Sequence, residues 1–248
     1  MMQLDDYFDL TDKQYDQFHP KVVGHLKWAQ TNIIPIAIQE LQKLQGQKTP
    51  ITQDQFKNLY SKSRQLWITM VERISEDSAA LFLTLSPDQW AGLKEEIEEK
   101  HEDRYGMAYV PKSEYAEEYR ELQETRLESL ERIIGEVSEA QTAKIYDATY
   151  LKQAELLQNS ELIIKTRNQF FAKAQNIKNP NELAQFFKAW AKNPGDEKYK
   201  DYRAKRMERF LTRWKIFESL LTAKQRSYRQ EKIADYIKDL KAIQSITF

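Results

Sequence analysis

A chain of 248 residues has room for one large domain or two small ones. Apolar side chains make up 41% and charged ones 31%, with only six glycines and seven prolines, which excludes collagen-like, low-complexity and disordered classes. There is no cysteine, so no disulfide framework, thiolate metal site or cysteine nucleophile exists, and 38 basic against 38 acidic residues leave no charge excess pointing to nucleic acid or a membrane surface.

No apolar run reaches the roughly 20 residues that a membrane-spanning helix needs. The opening Met1-Met2-Gln3-Leu4-Asp5-Asp6 is polar and lacks the basic-then-apolar pattern of a signal peptide. Two expectations fit: a cytoplasmic protein, or one whose export signal has been cut away.

In chain order, glycines and prolines punctuate helical segments. Pro35 sits in an apolar stretch and predicts a break near Ile34. Gly46, Gly106 and Gly135 each follow a run of helix formers, where a left-handed residue closes a helix. Pro87 after Ser86 and Pro180 after Asn179 have the cap-then-proline order of a helix start. Pro111 opens another segment, and Lys192-Asn193-Pro194-Gly195-Asp196 reads as a turn. Between these marks apolar residues recur every three or four positions: Trp90, Leu93 and Ile97; Tyr115, Tyr119, Leu122, Leu130 and Ile134; Ile233, Tyr236, Ile237 and Leu240. No alternating run predicts a strand. We expect an all-α, elongated antiparallel bundle of about eight or nine helices. They are drawn from segments at 11–18 (marginal), 20–45, 52–76, 86–105, 111–134, 138–157, 160–177, 180–192, 196–219 and 222–244. The whole of 1–248 reads as a single helical domain, with two lobes at 1–150 and 160–248 as a subdivision.

One pattern recurs at helix starts: an apolar residue, Ser or Thr, two free positions, then Gln. It stands at Leu10-Thr11 with Gln14, Ile51-Thr52 with Gln55, Leu85-Ser86 with Gln89, Val137-Ser138 with Gln141, and Leu221-Thr222 with Gln225. Locally this is a capping box, in which the hydroxyl accepts from the N–H three residues on and the glutamine reaches back to the cap N–H. Tyr15, Phe56 and Trp90 complete a hydrophobic staple in three copies; Thr142 and Arg226 do not in the other two. Five good helix starts would account for the pattern. The alternative is common descent, because caps also use Asp, Asn and Glu freely, yet here Ser or Thr with Gln is reused five times. The four best copies lie 75, 52 and 84 residues apart, which is no fixed-period solenoid.

The stretch Asp6-Tyr7-Phe8-Asp9-Leu10-Thr11 through Gln14 resembles the start of a proteobacterial lipoprotein family of unknown function. So do Trp28 followed by Pro35 and Leu41, Leu85-Ser86-Pro87-Asp88-Gln89 after Ala79-Ala80, and Arg132 through Gln141. The resemblance implies a periplasm-facing cell-envelope lipoprotein, anchored through a lipid-modified cysteine after an N-terminal signal. The sequence carries neither, which fits a chain starting just after the anchor. The family often has a histidine where this chain has Ala29, so no role is carried over there. The same Leu-Thr-x-x-Gln element is similar to that of the small Spy-like periplasmic chaperones, which hold unfolded clients without ATP.

Candidate chemistry is sparse. His19 and His25 are six apart and do not share a helix face, and Glu98-Glu99-Lys100-His101 holds one Glu-x-x-His where helical di-metal sites need two. We expect no metal, no cofactor and no catalytic residue. Charge is nonetheless uneven: 19 acids against 8 bases over 72–139, and 12 bases against 6 acids over 196–232. Arg203, Lys205, Arg206, Arg209 and Arg213, with Tyr199, Tyr202, Phe210 and Trp214 interleaved, could contact anionic head groups, nucleic acid or acidic clients. Packing of this basic helix against an acidic one is the plainer expectation. Of the set, Arg203, Arg206, Arg209, Arg213 and Trp214 are the candidate partner-binding residues. Phe170, Phe171, Phe186, Phe187, Trp190 and Trp28 are expected in the core. Three functions follow: a non-enzymatic envelope protein binding a protein partner or unfolded client, without nucleic acid and touching the membrane only through a lipid anchor; a cytoplasmic helical adaptor; or an enzyme with a carboxylate and tyrosine site.

Overall fold

The computed structural model describes residues 9–247. Among them lie ten α-helices and no strand: α1 (Asp12–Asn32), α2 (Ile34–Leu44), α3 (Gln53–Phe82), α4 (Pro87–Tyr105), α5 (Tyr115–Ile134), α6 (Glu139–Thr149), α7 (Gln153–Asn176), α8 (Pro180–Lys192), α9 (Glu197–Leu220) and α10 (Ala223–Gln244), with a 3-10 turn at Gly106–Tyr109. The all-α expectation holds.

Several boundaries differ from the expected ones for identifiable reasons. Pro20 lies inside α1 and does not start a helix. Its missing N–H costs one backbone bond, while Phe18 beside it is buried against Leu81 and Leu85. The break expected at Pro35 occurs, with Ile33 between α1 and α2. Gly46 and Gly135 have φ of 82° and 80°, as left-handed closures, whereas Gly106 has φ of −52° and leads into the 3-10 turn. The segment expected at 138–157 stops at Thr149. There the Tyr119 hydroxyl donates to the Thr149 carbonyl at 2.6 Å and accepts from the Leu151 N–H at 3.1 Å, and Tyr115 donates to the Leu151 carbonyl at 2.6 Å. Two buried tyrosines from α5 thus satisfy the backbone that a longer helix would have used.

The chain forms two compact units, each from three stretches: unit 1 from Met1–Trp28, Trp67–Val110 and Ala154–Lys200, and unit 2 from Ala29–Leu66, Pro111–Gln153 and Asp201–Phe248. Three of the five unit boundaries fall inside α1, α3 and α9, so the expected lobes at 1–150 and 160–248 do not describe the packing. A long helix divides its residues between units wherever its apolar stripe changes neighbours.

Unit 1 has an aromatic core. Leu183, Ala184, Phe186 and Phe187 of α8 pack with Ala79 and Ala174, and Phe82, Trp90, Phe170 and Trp190 close around them. Phe82 meets Phe187 edge-on with ring centroids 5.1 Å apart and Trp90 at 5.2 Å, the favoured geometry for aromatic pairs. α8 starts where Asn179 accepts from the Asn181 and Glu182 N–H groups at 2.9 and 3.1 Å, with Pro180 in the first turn.

Unit 2 has an aliphatic core. Ile38 and Leu44 of α2, Ile51, and Ile233 and Ile237 of α10 form its centre, with Leu41, Leu59, Trp214 and Leu240 against them. Beside it Glu218 and Arg229, both nearly fully buried, form an ion pair, and the second Glu218 oxygen accepts from the Ile51 N–H at 3.0 Å. A buried carboxylate so satisfied fixes the approach of the chain to α3. Of the expected α10 stripe, Ile233 and Ile237 are buried while Tyr236 is exposed.

Candidate functional site

All five repeated motifs are capping boxes. Gln14, Gln55, Gln89, Gln141 and Gln225 each accept the cap N–H on Oε1 at 2.9 to 3.0 Å, and each glutamine N–H donates to the cap hydroxyl at 3.2 to 3.3 Å. The box uses only Oε1 of the glutamine. The Nε2 group, with two hydrogens to donate, is used elsewhere in a repeated way.

In unit 1, Gln14 Nε2 donates to Gln89 Oε1 at 3.1 Å and Gln89 Nε2 donates to Gln14 Oε1 at 2.8 Å. The second hydrogens go to the backbone: Gln14 to the Thr84 carbonyl at 3.0 Å, Gln89 to the Asp9 carbonyl at 2.8 Å. In unit 2, Gln141 donates to Gln225 Oε1 at 2.9 Å and to the Leu220 carbonyl at 2.7 Å; Gln225 donates to Gln141 Oε1 at 3.2 Å and to the Glu136 carbonyl at 2.8 Å. Thr84, Asp9, Leu220 and Glu136 each stand two residues before the partner's cap. The four glutamines therefore make one set of contacts twice, each pair self-complementary as in a two-fold interface. Glutamate would form the box but could not donate, which is why the amide recurs. Thr52 and Gln55 close locally: Gln47 Nε2 donates to the Pro50 carbonyl at 3.1 Å and to Gln55 Oε1 at 3.2 Å, and Gln55 donates back at 3.0 Å.

These clasps position helices. Gln14 and Gln225 are buried and their partners half-buried. In unit 2 the clasp borders an open cleft of about 760 Å³, with Ser138, Gln141, Lys144, Thr222, Gln225 and Tyr228 in its wall.

A partly exposed aromatic group of unit 2 lies where α3 and α9 run antiparallel. Gln53 Nε2 donates to the Leu211 carbonyl at 2.9 Å. Phe56 stacks on Phe210 at 4.8 Å and lies 4.5 Å from Trp214, which is 5.7 Å from Phe217. Phe210 is 44% exposed and Tyr60, one turn along from Phe56, is 41% exposed. Arg64 follows at the same spacing, close enough to Arg203 for the two guanidiniums to repel: burial, then Arg203, holds the Arg64 pKa below its usual value.

Residues 6–174 match a family described as "Family of unknown function (DUF6279)". The chain belongs to this family. No curated protein matches it, and no solved structure does. The match covers the first three of the four clasp glutamines, and Asp6 to Phe8, part of the resemblance noted above, lie outside the described residues.

The candidate residues divide. Arg203 and Arg206, with Lys205, make no ion pair within 4 Å with a carboxylate among the described residues. Arg213 and Trp214 are committed inward. Arg213 Nε donates to the Ala148 carbonyl at 2.9 Å, closing α6, and burial, with Arg209 and Arg126 nearby, lowers its pKa although Tyr119 opposes this. Trp214 Nε1 donates to the Ile51 carbonyl at 3.1 Å. Arg209 lies half-buried beside Arg213. Tyr60 and Arg64 were not singled out from sequence, although Phe56, Tyr60 and Arg64 carry a four-residue spacing that marks one face. Phe170, Phe171, Phe186, Phe187 and Trp190 pack in the core of unit 1.

The histidines are engaged in structure. His25 Nε2 lies 2.9 Å from Asp77, which also takes Lys21 at 2.6 Å. His101 Nε2 lies 2.8 Å from the Ser160 hydroxyl, and Tyr109 reaches the same oxygen at 2.8 Å. Ser160 is fully buried in mid-helix, while Tyr109 is exposed. Burial, then the Arg167 charge, lowers the His101 pKa. Glu98 bonds Arg167 at 3.1 Å and shares no ligand with His101. Among the described residues no group of three or more His, Asp or Glu is placed to hold a metal ion.

Proposed function

We propose that the protein is a non-enzymatic binding protein of the cell envelope that holds a protein partner or unfolded client against the α3–α9 strip of unit 2. The observation that carries this reading is the exposure of Phe210 within a stacked aromatic series, since large rings left open beside cations mark contact surfaces more often than they mark cores. A non-enzymatic role is supported by how the reactive side chains are used. The Tyr115 and Tyr119 hydroxyls are spent on backbone carbonyls, and burial raises the Tyr115 pKa so that it keeps its proton. The envelope placement draws on the sequence resemblance to lipoproteins.

Reduced insulin, whose freed B chain aggregates, tests the binding reading. The protein in several-fold excess should delay light scattering without ATP, and Phe210→Ser should abolish the delay while the variant remains folded at the assay temperature. Unhindered aggregation at that excess would remove the reading. For placement, cells carrying the full-length native gene should yield the protein in the membrane fraction; recovery in the cytosol would favour the adaptor reading instead.

A further inference from the structure

We propose that the chain is a duplicated helical module whose two copies have exchanged their middle segments, so that each half is the other's binding partner. The helix starts set the register. Ser138 follows Thr11 by 127 positions, and Asn179, the cap of α8, follows Thr52 by the same 127. Thr222 follows Ser86 by 136. The nine extra positions fall between the last two caps of the second copy. There α3 of the first copy runs unbroken from Gln53 to Phe82, while the second copy has α8 and α9 with a turn between them. In this register α1 with α2 corresponds to α6 with α7, α3 to α8 with α9, and α4 to α10; α5 has no counterpart among the described residues. Leu44 falls on Phe171, Leu85 on Leu221 and Leu93 on Arg229, and all six are buried. Gln14 and Gln89 fall on Gln141 and Gln225, and the Asp9 and Thr84 carbonyls that receive their amides fall on those of Glu136 and Leu220. Capping explains each box locally, but not why donors and receiving carbonyls recur in one register.

The make-up of the units carries the exchange. The stretch 29–66 belongs to unit 2, whereas its counterpart 127 positions on, 156–193, lies within the Ala154–Lys200 stretch of unit 1. The stretch 67–110 belongs to unit 1, and its counterpart 136 positions on, 203–246, lies within the Asp201–Phe248 stretch of unit 2. Each unit thus takes its two clasped helix starts from one copy and its middle segment from the other. The clasps are bonds within a copy; the cores form between copies. In unit 1, Phe187 of the second copy meets Phe82 of the first with ring centroids 5.1 Å apart, and Lys188 reaches Glu76 at 3.2 Å. In unit 2, Ile38 and Ile51 of the first copy pack with Ile233 and Ile237 of the second, and the Ile51 N–H donates to Glu218 at 3.0 Å. Such reciprocity is what a two-fold interface shows, and exchange of an equivalent element is a low-cost route to one. Duplication without exchange would have built each unit from one continuous stretch.

The test inserts a specific protease site between Lys112 and Ser113, both exposed and in a turn that tolerates insertion, and cuts the folded full chain into its two halves. The halves should co-elute as one folded particle, and the melting temperature of the cut protein should rise with its concentration, as mass action requires of associated chains. Phe187→Ala in the second half and Ile38→Ala in the first, on opposite sides of the exchange, should each weaken association of the cut halves by about a hundredfold. Halves that part as two folded pieces, or a melting temperature independent of concentration, would overturn the exchange. Weakening by only one of the two truncations would mean that one segment alone crosses over, and would overturn reciprocal exchange. The delay of insulin aggregation plays no part in these readouts, so the binding reading stands or falls separately.

Discussion

Units 1 and 2 are closed by the same glutamine clasp, yet their aromatic rings are used in opposite ways. In unit 1 Phe170, Phe186, Phe187 and Trp90 turn inward around α8, and the rings meet edge-on or stacked within about 6 Å. In unit 2 isoleucines fill the centre, Trp214 packs on them, and the series runs through Phe56 to the exposed ring of Phe210. The clasp contributes helix placement in both units, and the packing that surrounds it decides whether rings are enclosed or left exposed.

Truncating one ring from each unit should break that symmetry most sharply. Phe187→Ala removes a ring only 8% exposed and should cost about 3–5 kcal/mol by chemical denaturation. Phe210→Ala, at 44% exposure, should cost less, about 0.5–1.5 kcal/mol for its stacking on Phe56, and on the binding proposal should weaken client capture. Next comes the donor role of the glutamines. Gln141→Glu keeps the box but faces a carboxylate towards Gln225 Oε1 and the Leu220 carbonyl, an expected loss of about 1–3 kcal/mol. Gln55→Glu, whose amide donates only to Gln47, should lose less in the same denaturation experiment. Removing the cap hydroxyl alone, as in Ser86→Ala for unit 1 or Thr222→Ala for unit 2, should lower stability by roughly 0.5–2 kcal/mol. A change in binding without a change in melting would contradict the capping account for that copy.

The smallest expected effect concerns acid. All three histidines lie in unit 1. The His101 pKa is lowered in the folded protein, so between that value and about 6.5 the unfolded chain binds the extra proton. The neutral His101 contribution is present above pH of about 6.5 and is lost as pH falls through the folded value. Denaturation at stepped pH should show stability falling into the acid range, with a shallower fall for His101→Gln. An unchanged slope in the variant would place the acid response elsewhere.

The helices were legible because capping, periodicity and proline position act within a few residues. All five boxes form for that reason, and Asn179-Pro180 starts α8 as expected. The clasps were not legible, because they join residues 75 and 84 positions apart, and sequence spacing carries no record of which helix starts meet. The repeated choice of glutamine over glutamate was the trace they left. The end of α6 was hidden because hydroxyls from α5 override the local propensity of 150–157. Arg213 and Trp214 looked exposed for a related reason: an arginine and a tryptophan on a basic helix give no sign that the Ala148 and Ile51 carbonyls await them.

A double-mutant cycle on Gln14→Ala and Gln89→Ala, read by denaturation and set beside the same cycle on Gln141 and Gln225, probes the shared clasp most directly. Each cycle should return a coupling of about 0.5–3 kcal/mol. Gln55 with Gln225, which share no hydrogen bond, should give additive losses. Additive losses within both clasp pairs would contradict the account.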